Sequence, residues 1–321
     1  MGQEIVQGVL YLKKCVVALR WVERLAALTP LCERMVESGI DCRVMLSEEL
    51  PQFRRGSEEE QGILYLTDDP QVYADLASET DREPPVLIYL HSDNEDHDFG
   101  DARYALEEPE ETEPEYLERV YRRCRDLPWE ILVTERCWLR ETVEEDVDSF
   151  WEMYQAPELT RYTERLYPTP EAERGYVRDY RRLVYSFYEY GVWTVLDRRS
   201  GAIVGRAGLS VREGYDLPEL GFVIGREWQG RGLAGEVCRG ILFYARQQLG
   251  FERIQALVHE ENAVSLHLCR ELGFREQKPP AAADICSGQQ AGEESQIPLV
   301  EMEQNGQRER FVYMVSYEPV D

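Results

Sequence analysis

The chain has 321 residues, 43% of them hydrophobic, and a formal net charge of −26, which suits two soluble domains of roughly 100 to 200 residues each. That charge excludes sequence-independent binding to nucleic acid, because a polyanion gains nothing from an acidic partner, whereas a basic peptide or an amine is electrostatically welcome. No run approaches the ~18 apolar residues of a membrane span, and the start lacks the basic, apolar and cleavage regions of an export signal, so a cytoplasmic protein with no membrane partner is expected. Cys15, Cys32, Cys42, Cys124, Cys137, Cys238, Cys269 and Cys286 form no CxxC pair and read as buried reduced thiols.

Residues 1–130 read as a small α/β domain. A helical pattern runs from Val9 to Ser38, and two buried-strand segments come after it, Gly62 to Leu66 and Pro85 to Leu90. Between them lie Asp68-Asp69-Pro70 and a short helix, Gln71 to Ala77. The region faintly resembles the latter half of a haloacid-dehalogenase-like phosphatase, whose paired aspartates after a strand hold magnesium. No DxDx(T/V) nucleophile follows an N-terminal strand, so no phosphatase activity is expected. Asp68 and Asp69 read as a helix cap and its neighbour more readily than as metal ligands. His91 and His97, among Asp93, Glu95, Asp96 and Asp98, suit either a metal cluster or an exposed acidic loop; the loop is the commoner outcome and no metal is assigned. Glu107 to Glu118, with seven glutamates in twelve residues, reads as a solvated linker.

Residues 138–321 read as a second domain. A strand at 138–141 leads to helices at Val143 to Tyr154 and Glu171 to Tyr188, then to strands at Trp193 to Asp197 and Ile203 to Leu209 joined by the Arg198 to Gly201 turn. Tyr154, Tyr162, Tyr167, Tyr176, Tyr180 and Tyr185 crowd this stretch together with Trp151, Tyr188, Tyr190 and Trp193. Such side chains suit a cleft for an amine-bearing chain, or a plain packing stripe. Then Glu219 to Gly235, ELGFVIGREWQGRGLAG, runs an apolar strand into a glycine-rich turn that opens a helix. Gln229, Gly230, Arg231, Gly232, Leu233 and Ala234 gather amides where the helix starts, an arrangement that attracts phosphates. There is no P-loop Lys-Ser/Thr and no GxGxxG spacing. Leu233, Val237, Ile241, Ala245 and Leu249 then mark one apolar helix face, Gly250 ends it, and Arg253 to His259 reads as a strand parallel to the first. Asn262-x-x-Ser265 opens a helix through Leu272; residues 278–308 read as a mobile loop before a last strand at 309–318.

Gln229-x-x-Gly232-x-Ala234, the following βαβ unit and Asn262-x-x-Ser265 together resemble the GCN5-related N-acetyltransferases (GNAT), over about 140 residues from Trp138 through Gln277. Glu219-Leu220-Gly221-Phe222 and Trp228-Gln229-Gly230-Arg231-Gly232 are most similar to the ribosomal-protein and amino-terminal acetyltransferase branch. The resemblance implies an α/β (α+β) fold with a mixed central sheet and helices on both faces. It also implies acetyl-CoA as co-substrate without a metal, and direct acetyl transfer to a primary amine on a peptide or small molecule. Backbone of Phe222, Val223 and Ile224 would meet the oxyanion and the pantetheine, the 229–234 turn the pyrophosphate, and Asn262 the pantetheine or phosphate region; as a residue, Asn262 reads equally as a helix cap. Glu219 is the expected base and His259 the reserve. The family's general-acid Tyr is replaced by Cys269, with Tyr215 as a substitute. A catalytically lapsed CoA-binding sensor is the alternative, and either a monomer or a homodimer is compatible with the pattern.

Overall fold

The computed structural model describes residues 10–56, 61–79, 84–280 and 299–316. One compact unit ends at Trp129 and the next begins at Glu130. In the first, β1 (Lys14–Leu19), α1 (Thr29–Glu37), β2 (Asp41–Leu46), α2 (Leu50–Gly56), β3 (Ile63–Thr67), α3 (Pro70–Ala77), β4 (Val86–Tyr89), β5 (Ala105–Leu106) and α4 (Pro114–Cys124) follow in order. The strands form a parallel sheet ordered β2-β1-β3-β4-β5. Cys15, Val17 and Leu19 pack with Leu31 of α1 and Val120 of α4, whereas Val16 and Ala18 pack with Leu50 and Leu76 on the α2 and α3 side. Helices therefore cover both faces, the doubly wound arrangement.

This two-sided burial corrects the helix expected from Val9 onward. A strand covered on both faces is apolar at successive positions, and β1 (KCVVAL) lacks the alternation that would have separated it from a helix. The Glu107–Glu118 linker is corrected as well. Pro109 opens a short 3-10 turn and Pro114 opens α4. Glu118 is buried, accepting from the amides of Tyr11 (3.0 Å) and Leu12 (2.7 Å) and from Arg122 Nε (2.7 Å).

Asp69 is the α3 cap, accepting from the Gln71 amide at 2.9 Å. Asp68 is wholly buried at the end of β3, where the Arg20 amide donates to it at 2.6 Å and His91 Nε2 stands 3.3 Å away. Burial raises its carboxyl above the usual range against those two contacts. His91 is thus not part of an exposed loop: its side chain is 4% exposed and meets the Trp21 ring edge-on at 4.9 Å. Its neighbours Glu95, Asp96, His97 and Asp98 are exposed. Among the described residues no group of three or more His, Cys, Asp and Glu side chains could hold a metal.

The second unit adds β6 (Glu130–Val133), β7 (Cys137–Arg140), α5 (Val147–Met153), α6 (Pro170–Tyr180), α7 (Ser186–Tyr188), β8 (Val192–Asp197), β9 (Ile203–Ser210), β10 (Glu219–Ile224), α8 (Leu233–Gln247), β11 (Ile254–His259), α9 (Ala263–Glu271), β12 (Phe274–Glu276), β13 (Leu299–Gln304) and β14 (Gln307–Ser316). A π-helical turn, Arg181–Tyr185, joins α6 to α7. The sheet runs β12-β14-β11-β10-β9-β8-β7-β6, with β13 on β14. β10 and β11 are its one parallel pair among the described residues. Val237, Ile241 and Ala245 are fully buried along α8, as the apolar stripe predicts.

The expected 278–308 loop holds β13 and the start of β14, a hairpin closed by Asn305-Gly306 with both φ values positive, +52° and +79°. Asn-Gly between strands is a strong type I′ turn signal that the Gln- and Glu-rich flank obscured. Residues 281–298, Cys286 among them, lie outside the described residues. The seven described cysteines are free thiols, four of them buried. No described helix is long and apolar enough to cross a membrane.

Candidate functional site

β10 pairs with β9 along its whole length, from Glu219↔Ser210 to Ile224↔Gly205, but its parallel register with β11 holds one pair, Glu219↔Gln255. Beyond that pair the two strands diverge and leave backbone edges without sheet partners. A cleft of about 380 Å³ opens there, lined by Leu220 to Val223 on one strand, Ala256 to His259 on the other, and Asn262, Ser265 and Cys269 from α9. Unpaired strand edges are donors and acceptors already in line, able to meet an extended amide-bearing chain as a further strand would.

The turn after β10 leaves its amides and its margin open. Gln229 Nε2 donates to Ile224 O at 2.8 Å, and Arg231 Nη2 to Glu227 O at 2.7 Å. Gly230 and Gly232 take φ of +71° and +75°, and space beside both is open, the nearest atom to a Cβ at 232 being Arg136 Nη2 at 3.7 Å. The amides of Gly230 to Ala234 donate no hydrogen bond to a described residue, and α8 begins at Leu233. Free amides, a helix N-terminus and an empty margin fit a phosphate group. Arg136, which the motif reading missed, adds a cation beside Gly232; it donates to Arg231 O at 2.8 Å and to Glu236 Oε2 at 2.6 Å. The turn brings Gln229, Gly230, Arg231, Gly232, Leu233 and Ala234 together. Phe222 and Val223 line the cleft, whereas Ile224 is buried and serves the site through its carbonyl contact with Gln229.

Asn262 caps α9, accepting from the Ser265 amide at 3.1 Å, and also lines the cleft, so the two readings of this residue coexist. Glu219 is 7% exposed at the point where the strands part. Both of its oxygens accept from Arg212, Nη2 at 2.9 Å and Nε, a fork that sequence spacing did not reveal. The fork engages both oxygens and fixes the orientation of the carboxylate, while each oxygen keeps a second lone pair.

His259 is less suited to that task. Its Nδ1 accepts from the Glu261 amide at 3.1 Å, and its Nε2 stands 3.2 Å from Glu309 Oε2. Cys269 lies fully buried, and burial pushes its thiol up to about 12, which keeps it protonated and weakens it as a donor at neutral pH. Tyr215 packs against the Tyr313 ring at 5.6 Å in a small core with Val300 and is not among the cleft residues.

The aromatic stretch divides. Tyr154, Tyr162, Tyr167 and Tyr176 line the cleft. Tyr180 and Tyr185 hold the backbone of Val192, the first accepting from its amide at 2.9 Å and the second donating to its carbonyl at 2.6 Å. Trp193 is fully buried in the core. Arg206 reaches the cleft floor, 3.6 Å from Glu173 and over the Phe150 ring at 5.0 Å.

A mixed sheet whose parallel pair parts beside a glycine turn at a helix N-terminus is the architecture of the GNAT class. Residues 136–275 match the family model described as "Acetyltransferase (GNAT) domain", and the chain carries a GNAT acetyltransferase domain over that span. Over 152 residues it is 27% identical to "Uncharacterized N-acetyltransferase p20" of Bacillus licheniformis, covering 46% of this chain and 84% of the relative. Over 123 residues it is 29% identical to "[Ribosomal protein uS5]-alanine N-acetyltransferase" of Escherichia coli, covering 37% of this chain and 61% of the relative. Among solved structures, the ribosomal-protein-S5-alanine acetyltransferase of Vibrio fischeri matches with a TM-score of 0.46 at 16% identity, over 61% of this chain and 98% of that one.

Proposed function

We propose that this protein moves an acetyl group from acetyl-CoA directly to a primary amine, on a peptide N-terminus or a small molecule, with Glu219 as base. The observation that carries the reading is the parting of β10 and β11 after one residue pair, beside a turn with free amides. The 229–234 turn and Arg136 would hold the pyrophosphate, and the edges of Phe222 and Val223 the pantetheine. An acceptor ammonium approaching Glu219 loses its proton to the carboxylate, directly or through a water, and the free amine attacks the thioester carbonyl. Strand-edge amides stabilise the oxyanion. CoA departs as the thiolate or takes a proton from water, because Cys269 holds its own. The Arg212 fork on Glu219 is the feature that favours the sensor alternative.

The test is release of CoA thiol from acetyl-CoA over a panel of amines and peptides, wild type beside Glu219→Gln. Acceptor-dependent release that collapses in the variant supports the enzyme; tight acetyl-CoA binding with no release on any acceptor supports the sensor.

A further inference from the structure

The tip of the β13–β14 hairpin reaches residues about 140 positions earlier in the chain. Asn305 Oδ1 accepts from the Arg165 amide at 3.2 Å, and Asn305 Nδ2 donates to the Thr163 carbonyl at 3.2 Å. One side-chain amide thus completes a two-point, backbone-directed clasp on the segment between α5 and α6. That segment forms one wall of the cleft through Tyr162 and Tyr167, while Met302 and Gln304 of the hairpin form part of the other. Both ends of the wall are fixed: Tyr162 lies 4.9 Å from the His259 ring, and Tyr167 5.3 Å from Tyr176. The clasp thus ties together two segments, 163–165 and the β13–β14 hairpin, that line the same cleft as Glu219.

From this geometry we infer that Asn305 is a specificity-determining residue, closing a roof over the amine side of the cleft so that slender, flexible amines enter and the N-terminus of a folded protein does not. The inference rests on the acetyltransferase reading and names its acceptor class. The turn also makes the residue testable without unfolding the hairpin. Asn305 holds φ of +52°, a conformation glycine adopts at least as readily, so Asn305→Gly keeps the type I′ turn and removes only the clasp.

The experiment measures kcat/KM with acetyl-CoA for alanine amide, an alanyl tetrapeptide and a folded protein with a free N-terminal alanine. Wild type is expected to use the first two and to discriminate against the third. In Asn305→Gly the ratio of folded-protein to alanine-amide activity should rise on the order of tenfold or more, the scale set by two lost hydrogen bonds. A ratio that stays the same while both activities change together overturns the inference, since a merely structural role moves both alike. Amide exchange at Arg165 gives a readout independent of turnover: faster exchange in the variant is expected, and equal exchange contradicts the clasp. If wild type acetylates none of the three, the inferred acceptor class is overturned, while thiol release over the wider amine panel decides the acetyltransferase reading separately.

Discussion

Two parallel strand pairs in this molecule behave in opposite ways. In the first unit β1 and β3 stay in register for five residue pairs, Lys14↔Ile63 to Ala18↔Thr67, and the polar groups at their ends are matched inside the protein. Asp68, His91 and Asn94 bond to one another and to nearby backbone. In the second unit β10 and β11 share one pair, and beyond it their facing backbone edges have no sheet partner and lie beside a turn of free amides. Buried polar groups are satisfied almost without exception in folded proteins. An open edge in a cleft is therefore available to a ligand or to water, while a closed one serves stability.

The widest break in that comparison is expected from Gly232→Glu. It forces a side chain onto φ of +75° and sets a carboxylate where the phosphates would bind, so calorimetry should show acetyl-CoA affinity falling about a thousandfold. In the closed unit, Glu118→Ala takes from buried Arg122 the carboxylate it donates to at 2.7 Å and strips two amides of their acceptor. Denaturant unfolding should show a loss of about 3.5 kcal/mol, with kcat unaltered wherever the protein stays folded. Glu219→Gln acts in the open unit alone: kcat falls roughly a hundredfold while acetyl-CoA binding is retained.

Glu236 sharpens the comparison through pH. Burial raises its carboxyl, but the Thr134 hydroxyl and the Arg136 amide and guanidinium outweigh burial and hold it below 4.5. Its stabilisation is present above that value and lost as pH falls through the lower, folded value. Glu236→Gln should thus cost about 2 kcal/mol at pH 7, from the charge-assisted bonds at 2.6 to 2.7 Å. The gap from wild type should narrow in acid, as thermal melts across pH would record. Smallest is Cys269→Ala, which opens a small void worth about 1 kcal/mol and leaves kcat within about threefold, as expected of a packed thiol rather than an acid.

The site is legible in the sequence where chemistry is written in local spacing. Gln229-x-x-Gly232-x-Ala234 marks the turn that opens α8 because backbone conformation demands glycine there, and Asn262 marks the start of α9 because helix starts need caps. Arg136, Arg212 and Asn305 are invisible in the sequence because each acts through a partner fixed only by the fold: Glu236, Glu219 and the 163–165 backbone. In the first unit β1 reads as helix because burial on both faces erases alternation, and Glu118 as linker because composition cannot tell a solvated glutamate from one that caps two amides.

On this reading the edge opened between β10 and β11 is an acetyl-CoA site serving Glu219. Titration of wild type and Glu219→Gln with acetyl-CoA, with thiol release then measured on adding alanine amide, tests it most directly. Equal binding by both proteins with release confined to wild type is the predicted result. No binding by either, or equal release by both, would contradict it.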